Sequence, residues 1–132
     1  MREILFRGLT VGTKEWVYGG YAKIGNTPFI ISADEHGTIL WYEVEPESVG
    51  EYAGLPDDNG ERVFEGDVLK FSYTGKNRGV SGKAVVSFKS GKFGVEWGRN
   101  KDFVSLDGFA NTTMEAIGNI HDNPELMECD KN

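Results

Sequence analysis

The stretch that decides the fold is GLPDDNGERVFEGDVLKFSY, residues 54–73. Its first half contains Asn59-Gly60, a pair that supplies the positive φ angles of a tight hairpin turn. Its second half alternates, so that Leu69 and Phe71 share one face of a strand and Lys70 between them faces the other way. A tight turn followed by an alternating run is typical of antiparallel sheet, and the stretch therefore predicts β structure.

The same combination of a short apolar run and a turn signal recurs along the chain. The predicted strands cover residues 4–6, 16–24, 29–32, 39–44, 66–73, 83–88, 93–97, 103–106 and 115–120. Helix is limited to single turns at residues 46–50 and one or two turns within residues 107–113. Gly19-Gly20 interrupts the second strand and indicates a bulge or a close approach of two backbones. The predicted fold class is mostly β, with an N-terminal β-meander leading into a small bent sheet or SH3-like barrel.

The domain organisation follows from length and from the absence of a linker. The chain has 132 residues and no Pro/Ser-rich segment, which predicts a single domain, 1–132. Within it we expect a meander over residues 1–47, a barrel-like part over residues 48–122 and a fraying polar tail over residues 123–132. Apolar residues make up 39% of the chain, which is enough for a core of its own.

Charge and cysteine content narrow the classes of function. Fourteen basic and 21 acidic residues give a formal charge of -7, and a negative field repels a phosphate backbone. The single cysteine, Cys129, cannot form an internal disulfide. No apolar run approaches the roughly 18 residues of a membrane span. We therefore expect a soluble cytoplasmic protein whose net charge disfavours binding to nucleic acid.

A family resemblance is carried by residues 49–71, VGEYAGLPDDNGERVFEGDVLKF, which resemble the central motif of the YopX family of phage and prophage proteins. Three further segments agree in order and spacing, namely residues 2–8, 15–19 and 117–128. Ala53 and Pro56 depart from the residues common at those positions without disturbing the turns. The resemblance implies a phage or prophage origin, a bacterial host cell and a mostly β fold. It implies no activity, because the family is uncharacterised.

The motif positions that match the family are Gly54, Leu55, Asp57, Asn59, Gly60, Glu65, Gly66, Asp67, Gly118, Asn119 and Pro124. We interpret them as structural. Glu65 and Asp67 could share one face of a strand and serve acid–base chemistry or a hard metal. However, Gly-Asp before an apolar strand also marks a tight turn in which the Asp side chain accepts backbone N–H groups, and we favour that interpretation.

No catalytic set, cofactor site or metal site is expected. Counting from Asp57, an EF-hand loop would need Gly at the sixth position, where Arg62 stands. Cys129 lies in the polar tail, where no fixed base would orient it. The sequence therefore predicts a protein that is not an enzyme, and a hydrolase using Glu65 and Asp67 is the weakest of our hypotheses.

Two binding hypotheses remain open. Exposed aromatic residues among Trp16, Trp41 and Trp97, or an exposed edge strand, would mark an interface with another protein or with a second copy. This gives our first hypothesis, a non-enzymatic accessory protein that acts by protein binding or self-association. The alternative is a nucleic-acid-associated protein of DNA metabolism or packaging, and the net charge disfavours it. Its contacts would come from the basic loop that contains Lys76, Arg78 and Lys83.

Overall fold

A computed structural model describes residues 3–73, 81–97, 100–109 and 112–127. The strands in these ranges are β1 (Phe6–Leu9), β2 (Trp16–Ile24), β3 (Thr27–Ala33), β4 (Ile39–Glu43), β5 (Gly50–Pro56), β6 (Arg62–Phe64), β7 (Asp67–Tyr73), β8 (Ser81–Val85), β9 (Ser87–Lys89), β10 (Lys92–Trp97), β11 (Asp102–Ser105) and β12 (Thr112–Asn119). Single 3-10 turns span Pro46–Ser48, Leu106–Gly108 and Pro124–Met127. The predicted mostly β fold is confirmed. In the described ranges the strands form several antiparallel sheets and no closed barrel, so the predicted SH3-like barrel is not observed there.

The chain divides into two compact units, Met1–Gly54 and Leu55–Asn132. The division falls after residue 54, later than the predicted end of the meander at residue 47. A single domain over residues 1–132 stays a prediction. Residues 128–132 of the predicted polar tail, Cys129 among them, lie outside the described ranges. Within those ranges, no helix is long and apolar enough to cross a membrane.

The first unit is an antiparallel sheet in which the strands follow the order β4-β3-β2-β1-β5. Its buried side lies on one face of β3 and at the end of β4, where Ile30 is 0% exposed and Val44 is 1% exposed. Gly8 of β1 lies against Val44, since a Cβ on Gly8 would come within 2.9 Å of the valine Cβ. The alternation of β3 therefore buries Ile30 and leaves the neighbouring side chains on the opposite face.

The Gly19-Gly20 pair in β2 marks a close approach of two backbones, as the sequence indicated. A Cβ on Gly19 would lie 2.0 Å from the carbonyl oxygen of Ile31, whereas a Cβ on Gly20 would lie 4.0 Å from it. β2 changes partner at this point, because Gly19 pairs with Phe6 of β1 and Gly20 pairs with Ile31 of β3. The close contact with the backbone of Ile31 therefore requires glycine at position 19 but not at position 20.

The second unit contains two three-stranded sheets, ordered β12-β7-β8 and β11-β10-β9. Leu69 and Phe71 of β7 are 0% and 1% exposed, and Val95 of β10 is 0% exposed. The Phe71 ring lies 5.1 Å from the Trp97 ring and 4.5 Å from the Phe109 ring, measured between centroids. Trp97 and Phe109 therefore pack against the buried Phe71 in the core of the second unit.

Val86 explains the main difference between predicted and observed strands. The sequence predicts one strand over residues 83–88, and the alternation of that strand predicts that Ala84, Val86 and Phe88 face inward. In the structure the N–H of Val86 donates to Asp67 O at 2.9 Å, and its C=O accepts from Gly66 N at 2.9 Å. The chain leaves one sheet there and enters the other, so the alternation of β8 does not continue into β9. The inward placement is right for Ala84 and Val86 and wrong for Phe88, which is 51% exposed.

The other differences are smaller. The first strand begins at Phe6 instead of residue 4, and the predicted helical segment 107–113 is a 3-10 turn at Leu106–Gly108. The strand β12 then starts at Thr112, earlier than the predicted residue 115. Thr112 pairs with Tyr73 at the far end of β7, and this long-range pairing extends the strand beyond its local apolar pattern.

Candidate functional site

The motif residues are placed mainly in the turns of the second unit, and Asp57 accepts three backbone N–H groups there. Its Oδ1 accepts the backbone N–H groups of Asn59 and Glu61, each at 2.9 Å. Its Oδ2 accepts the N–H of Ala116, also at 2.9 Å. Gly60 completes the turn with a φ of +83°, a conformation that L-residues other than glycine rarely adopt. The carboxylate thus ties the hairpin turn to β12.

The ionisation of Asp57 follows from these contacts. Burial raises the pKa of the carboxyl, and the three N–H donors of Ala116, Glu61 and Asn59 more than offset that effect. The pKa of Asp57 therefore lies below its ordinary value of 3.8. A carboxylate that is held ionised by backbone donors is suited to holding a turn together, and it is poorly suited to accepting a proton near neutral pH.

Asp67 holds the second turn of the motif. It is buried at the start of β7, and its Oδ2 accepts the N–H of Phe64 at 2.8 Å. Gly66 precedes it with a φ of +93°, and Glu65 lies half-buried in the same turn. Glu65 and Asp67 are the pair for which acid–base chemistry was considered. Asp67 is a buried carboxylate bonded to the backbone, and Glu65 is a half-buried turn residue.

The C-terminal part of the motif meets this turn directly. Asn119 pairs with Asp67 in the β12–β7 register, and the N–H of Ile120 donates to Gly66 O at 3.0 Å. Asn119 Oδ1 also accepts the N–H groups of His121 and Asp122, at 2.9 and 2.8 Å. The structure thus brings together two motif segments that are far apart in sequence.

The remaining motif positions have simpler places. Gly54 and Leu55 lie in β5, and Pro124 starts the last 3-10 turn. Gly118 lies against that turn, since a Cβ on it would come within 2.5 Å of Asn123 Oδ1. Within the described ranges, no group of three or more His, Cys, Asp or Glu side chains is placed to hold a metal ion.

Of the basic loop, only Lys83 is described; Lys76 and Arg78 lie outside the described residues. Lys83 is exposed on β8, the edge strand of its sheet. The structure therefore does not show whether the three cations lie close together. The nucleic-acid contact assigned to them stays a prediction.

An exposed apolar face in the first unit offers a more complete site. We call it the outer face, and its apolar side chains are those of Ile24, Phe29, Ile31, Ile39 and Trp41. The strand register places them together, because Ile31 pairs with Trp41, Ala33 pairs with Ile39 and Ile24 pairs with Thr27. Trp41 is 52% exposed, and Ile24 and Ile39 are 58% and 59% exposed. The Phe29 and Trp41 rings meet edge to face, with centroids 5.7 Å apart.

Among the described strands, β4 also ends the sheet order, so the outer face adjoins a strand edge. The N–H of Val44 donates to Pro28 O at 3.2 Å, which sets the pattern of the β4–β3 ladder. Since backbone groups alternate in direction, those of Ile39 and Trp41 point away from β3. Among the described residues, no strand pairs with this side of β4. At its end, Glu43 O already accepts the N–H of Val11 at 3.1 Å.

The charges around the outer face are acidic. Glu43 is the only ionisable side chain that the register places on the same face of β2, β3 and β4 as Trp41, apart from Tyr18. Asp34 and Glu35 lie in the turn beside Ile39, and both are exposed. The first unit as a whole contains eight acidic and four basic residues. A ligand of this face would meet apolar side chains bordered by negative charge.

The sequence includes Trp41 among the aromatic residues that would mark an interface if exposed, but it does not show whether Trp41 is exposed. The segment ILWYE of β4 carries large apolar side chains on both faces, so its alternation could not show which face is covered.

Comparisons with known proteins agree on the family. The family model described as "YopX protein" matches residues 5–128. Protein yopX from Bacillus subtilis has a similar structure, with a TM-score of 0.65 and 18% identity over 97% of this chain and 100% of that one. Protein EF1440 from Enterococcus faecalis is similar with a TM-score of 0.57 and 23% identity, over the same shares of the two chains. At these identities the likeness shows the fold alone. No curated protein matches the chain.

Proposed function

Since the chain belongs to the YopX family, which sets its fold and leaves its activity open, we propose that it is a non-enzymatic protein-binding module. It binds an extended segment of another protein, which adds as a strand to the free edge of β4 and lays apolar side chains on the outer face. As a phage or prophage accessory protein it works in the cytoplasm of the bacterial host. The single observation that carries this proposal is the exposed Trp41 on an unpaired strand edge.

Two physical features support strand addition. A row of unpaired backbone N–H and C=O groups, as at Ile39 and Trp41, is a template for another strand. The side chains of an added strand alternate, so every second one would lie beside Trp41 and Ile39 on the outer face. Backbone hydrogen bonds would supply register, and apolar contact with the indole of Trp41 would supply most of the affinity.

The charges favour a partner with basic residues over a second copy of this chain. Two copies would each bring a net charge of -7 and would place their Glu43 side chains near the same interface. A strand with apolar residues beside Ile39 and Trp41, and with a Lys or Arg on that same face beside Glu43, complements both Trp41 and Glu43. We therefore commit to an extended, apolar and basic protein segment as the occupant.

The experiment is a selection of random twelve-residue peptides on the full-length protein, with counter-selection on the Trp41→Ser variant. We expect the enriched peptides to carry net positive charge and to alternate apolar residues. Their affinity, measured by fluorescence anisotropy, should fall at least about tenfold in Trp41→Ser, because truncating a central aromatic anchor costs roughly 2 kcal/mol or more. Phe88→Ser is the matched control, since Phe88 is 51% exposed but lies on β9 of the second unit.

Backbone methylation separates strand addition from simple apolar contact. N-methylation of the peptide amides that pair with β4 should abolish binding, and methylation of the intervening amides should leave it nearly unchanged. Three outcomes would overturn the proposal: equal binding to wild type and Trp41→Ser, enrichment of acidic peptides, or a dimer in light scattering that Trp41→Ser converts to a monomer. The last would assign the outer face to a second copy.

A further inference from the structure

A groove in the second unit has a chemistry that the protein-binding proposal does not use. It has a volume of about 630 Å³ and is lined by residues of β8, β9 and β10 and by the segments that carry Lys101 and Met127. This volume lies within the range of about 300–1,000 Å³ that is usual for small-ligand sites. Its described lining residues all belong to the second unit, whereas the outer face belongs to the first.

Two lysines line the groove. Lys83 and Lys101 are both exposed, and neither makes an ion pair with any residue in the described ranges. The acidic residue of the lining, Glu96, is already engaged, because Lys89 Nζ lies 3.2 Å from its Oε1. The lining therefore carries two lysines and one carboxylate that is already paired, and this balance favours an anion.

A fixed aromatic side chain adjoins these cations. The Trp97 ring meets the Phe71 ring at 74° and the Phe109 ring at 81°, with centroids 5.1 and 5.4 Å away. Gly82 leaves room for the indole, since a Cβ there would come within 2.6 Å of its Cη2. The indole is thus held from two sides while remaining half-buried, so its orientation is set before any ligand arrives. Met127 adds a flexible apolar side chain to the lining.

We propose that this groove binds a nucleotide unit, with the base against Trp97 and Met127 and the phosphate between Lys83 and Lys101. A planar aromatic group that carries a phosphate combines the two chemistries that the lining offers. The unit could come from a free nucleotide or from one position of a single strand, and the experiment distinguishes these sources. The site retains Lys83 of the predicted basic loop and adds Lys101 and Trp97, which the sequence did not connect with it.

The experiment follows the indole N–H signal of Trp97 in ¹H–¹⁵N spectra of the full-length protein, assigned by its loss in Trp97→Phe. The probes are AMP, a ten-residue oligothymidylate, adenosine and inorganic phosphate. We expect AMP or the oligonucleotide to shift the Trp97 signal, with an affinity that falls as salt rises from 50 to 200 mM. Lys83→Gln and Lys101→Gln should each weaken binding about fivefold, because each removes one charge contact at an exposed site.

Lys92→Gln is the matched control, since Lys92 is an exposed lysine of β10 that does not line the groove, and it should leave the affinity unchanged. Binding of AMP identifies a nucleotide site, and binding of the oligonucleotide alone identifies a strand site; both support the proposal. It is overturned if no probe shifts Trp97, if inorganic phosphate shifts it as strongly as AMP, or if the lysine variants match Lys92→Gln. None of these results bears on Trp41, so the two proposals fail separately.

Discussion

The Oδ2 atom of Asp57 accepts the backbone N–H of Ala116 at 2.9 Å, across 59 residues of sequence. The bond joins the Asn59-Gly60 hairpin turn to the middle of β12, next to the point where the β12–β7 register shifts between Ala116 and Gly118. β12 is the edge strand of its sheet, and the N–H groups of Met114 and Ala116 on its side away from β7 are accepted by the carboxylates of Asp58 and Asp57. Asp57 therefore stabilises a long-range contact as well as its own turn.

The first prediction is that Asp57→Asn lowers the free energy of unfolding by about 1–3 kcal/mol. An amide retains one acceptor oxygen and places an NH₂ group where the carboxylate accepted a backbone N–H, so one buried donor loses its partner. Urea denaturation at pH 7 measures the loss. Asp102→Asn, which changes an exposed aspartate of β11, should stay within about 0.5 kcal/mol of wild type. Equal losses in the two variants would show that Asp57 contributes only its charge.

The second prediction concerns pH. Because the pKa of Asp57 is lower in the folded state than its ordinary value of 3.8, the unfolded state takes up the proton first as the pH falls. The stability that Asp57 contributes is therefore complete above that value and is lost as the pH falls through the lower, folded-state pKa. The difference in unfolding free energy between wild type and Asp57→Asn should be constant from about pH 7 to 5 and shrink below about pH 3.8. A difference that persists unchanged to pH 2.5 would contradict the assignment.

Much of the fold was predictable because the determining signals are local. β2 was predicted with both of its bounds correct, and its Gly19-Gly20 interruption indicated the close approach now seen at Gly19. Turn chemistry at Asn59-Gly60 placed the central hairpin. These features depend on alternation and on positive φ angles, which neighbouring residues determine.

What could not be predicted depends on long-range partners. Nothing in the segment around Val86 shows that its backbone bonds to Gly66 and Asp67 and so ends β8 there. The exposure of Trp41 depends on which face of β4 is covered, and both faces are apolar in sequence. The hydrogen bond between Asp57 and Ala116 could not be predicted either, because the Asp57 carboxylate could have accepted any buried N–H within reach.

The third prediction compares two adjacent glycines. Gly19→Ala would place a methyl group 2.0 Å from Ile31 O, a backbone atom that can yield only if β2 and β3 separate. We expect it to lower the free energy of unfolding by about 1–3 kcal/mol or more. In Gly20→Ala the new methyl group would lie 4.0 Å from Ile31 O, which is ordinary contact. Its free energy of unfolding should stay within about 0.5 kcal/mol of wild type, and the restriction that alanine places on the unfolded chain acts in the favourable direction. Urea denaturation of both variants is the test, and similar effects would contradict the close approach.

The fourth prediction concerns Asn119, whose side-chain amide both accepts and donates hydrogen bonds. Its Oδ1 accepts two backbone N–H groups, and its Nδ2 donates to Asp122 Oδ2 at 3.2 Å. Asn119→Asp keeps the acceptor but places a second carboxylate oxygen against Asp122, so we expect a loss of about 1–3 kcal/mol at pH 7 from like-charge repulsion at a buried position.

The repulsion predicts a specific rescue. Adding Asp122→Asn to Asn119→Asp restores one donor between the two side chains and should recover most of the lost stability. Adding it to Asn119→Ala should recover none, because that variant has lost the acceptor of the His121 and Asp122 N–H groups. A double-mutant cycle measured by urea denaturation isolates the pairwise term. If Asp122→Asn had the same effect in both backgrounds, the contribution of Asn119 would come from its backbone-bonded oxygen alone.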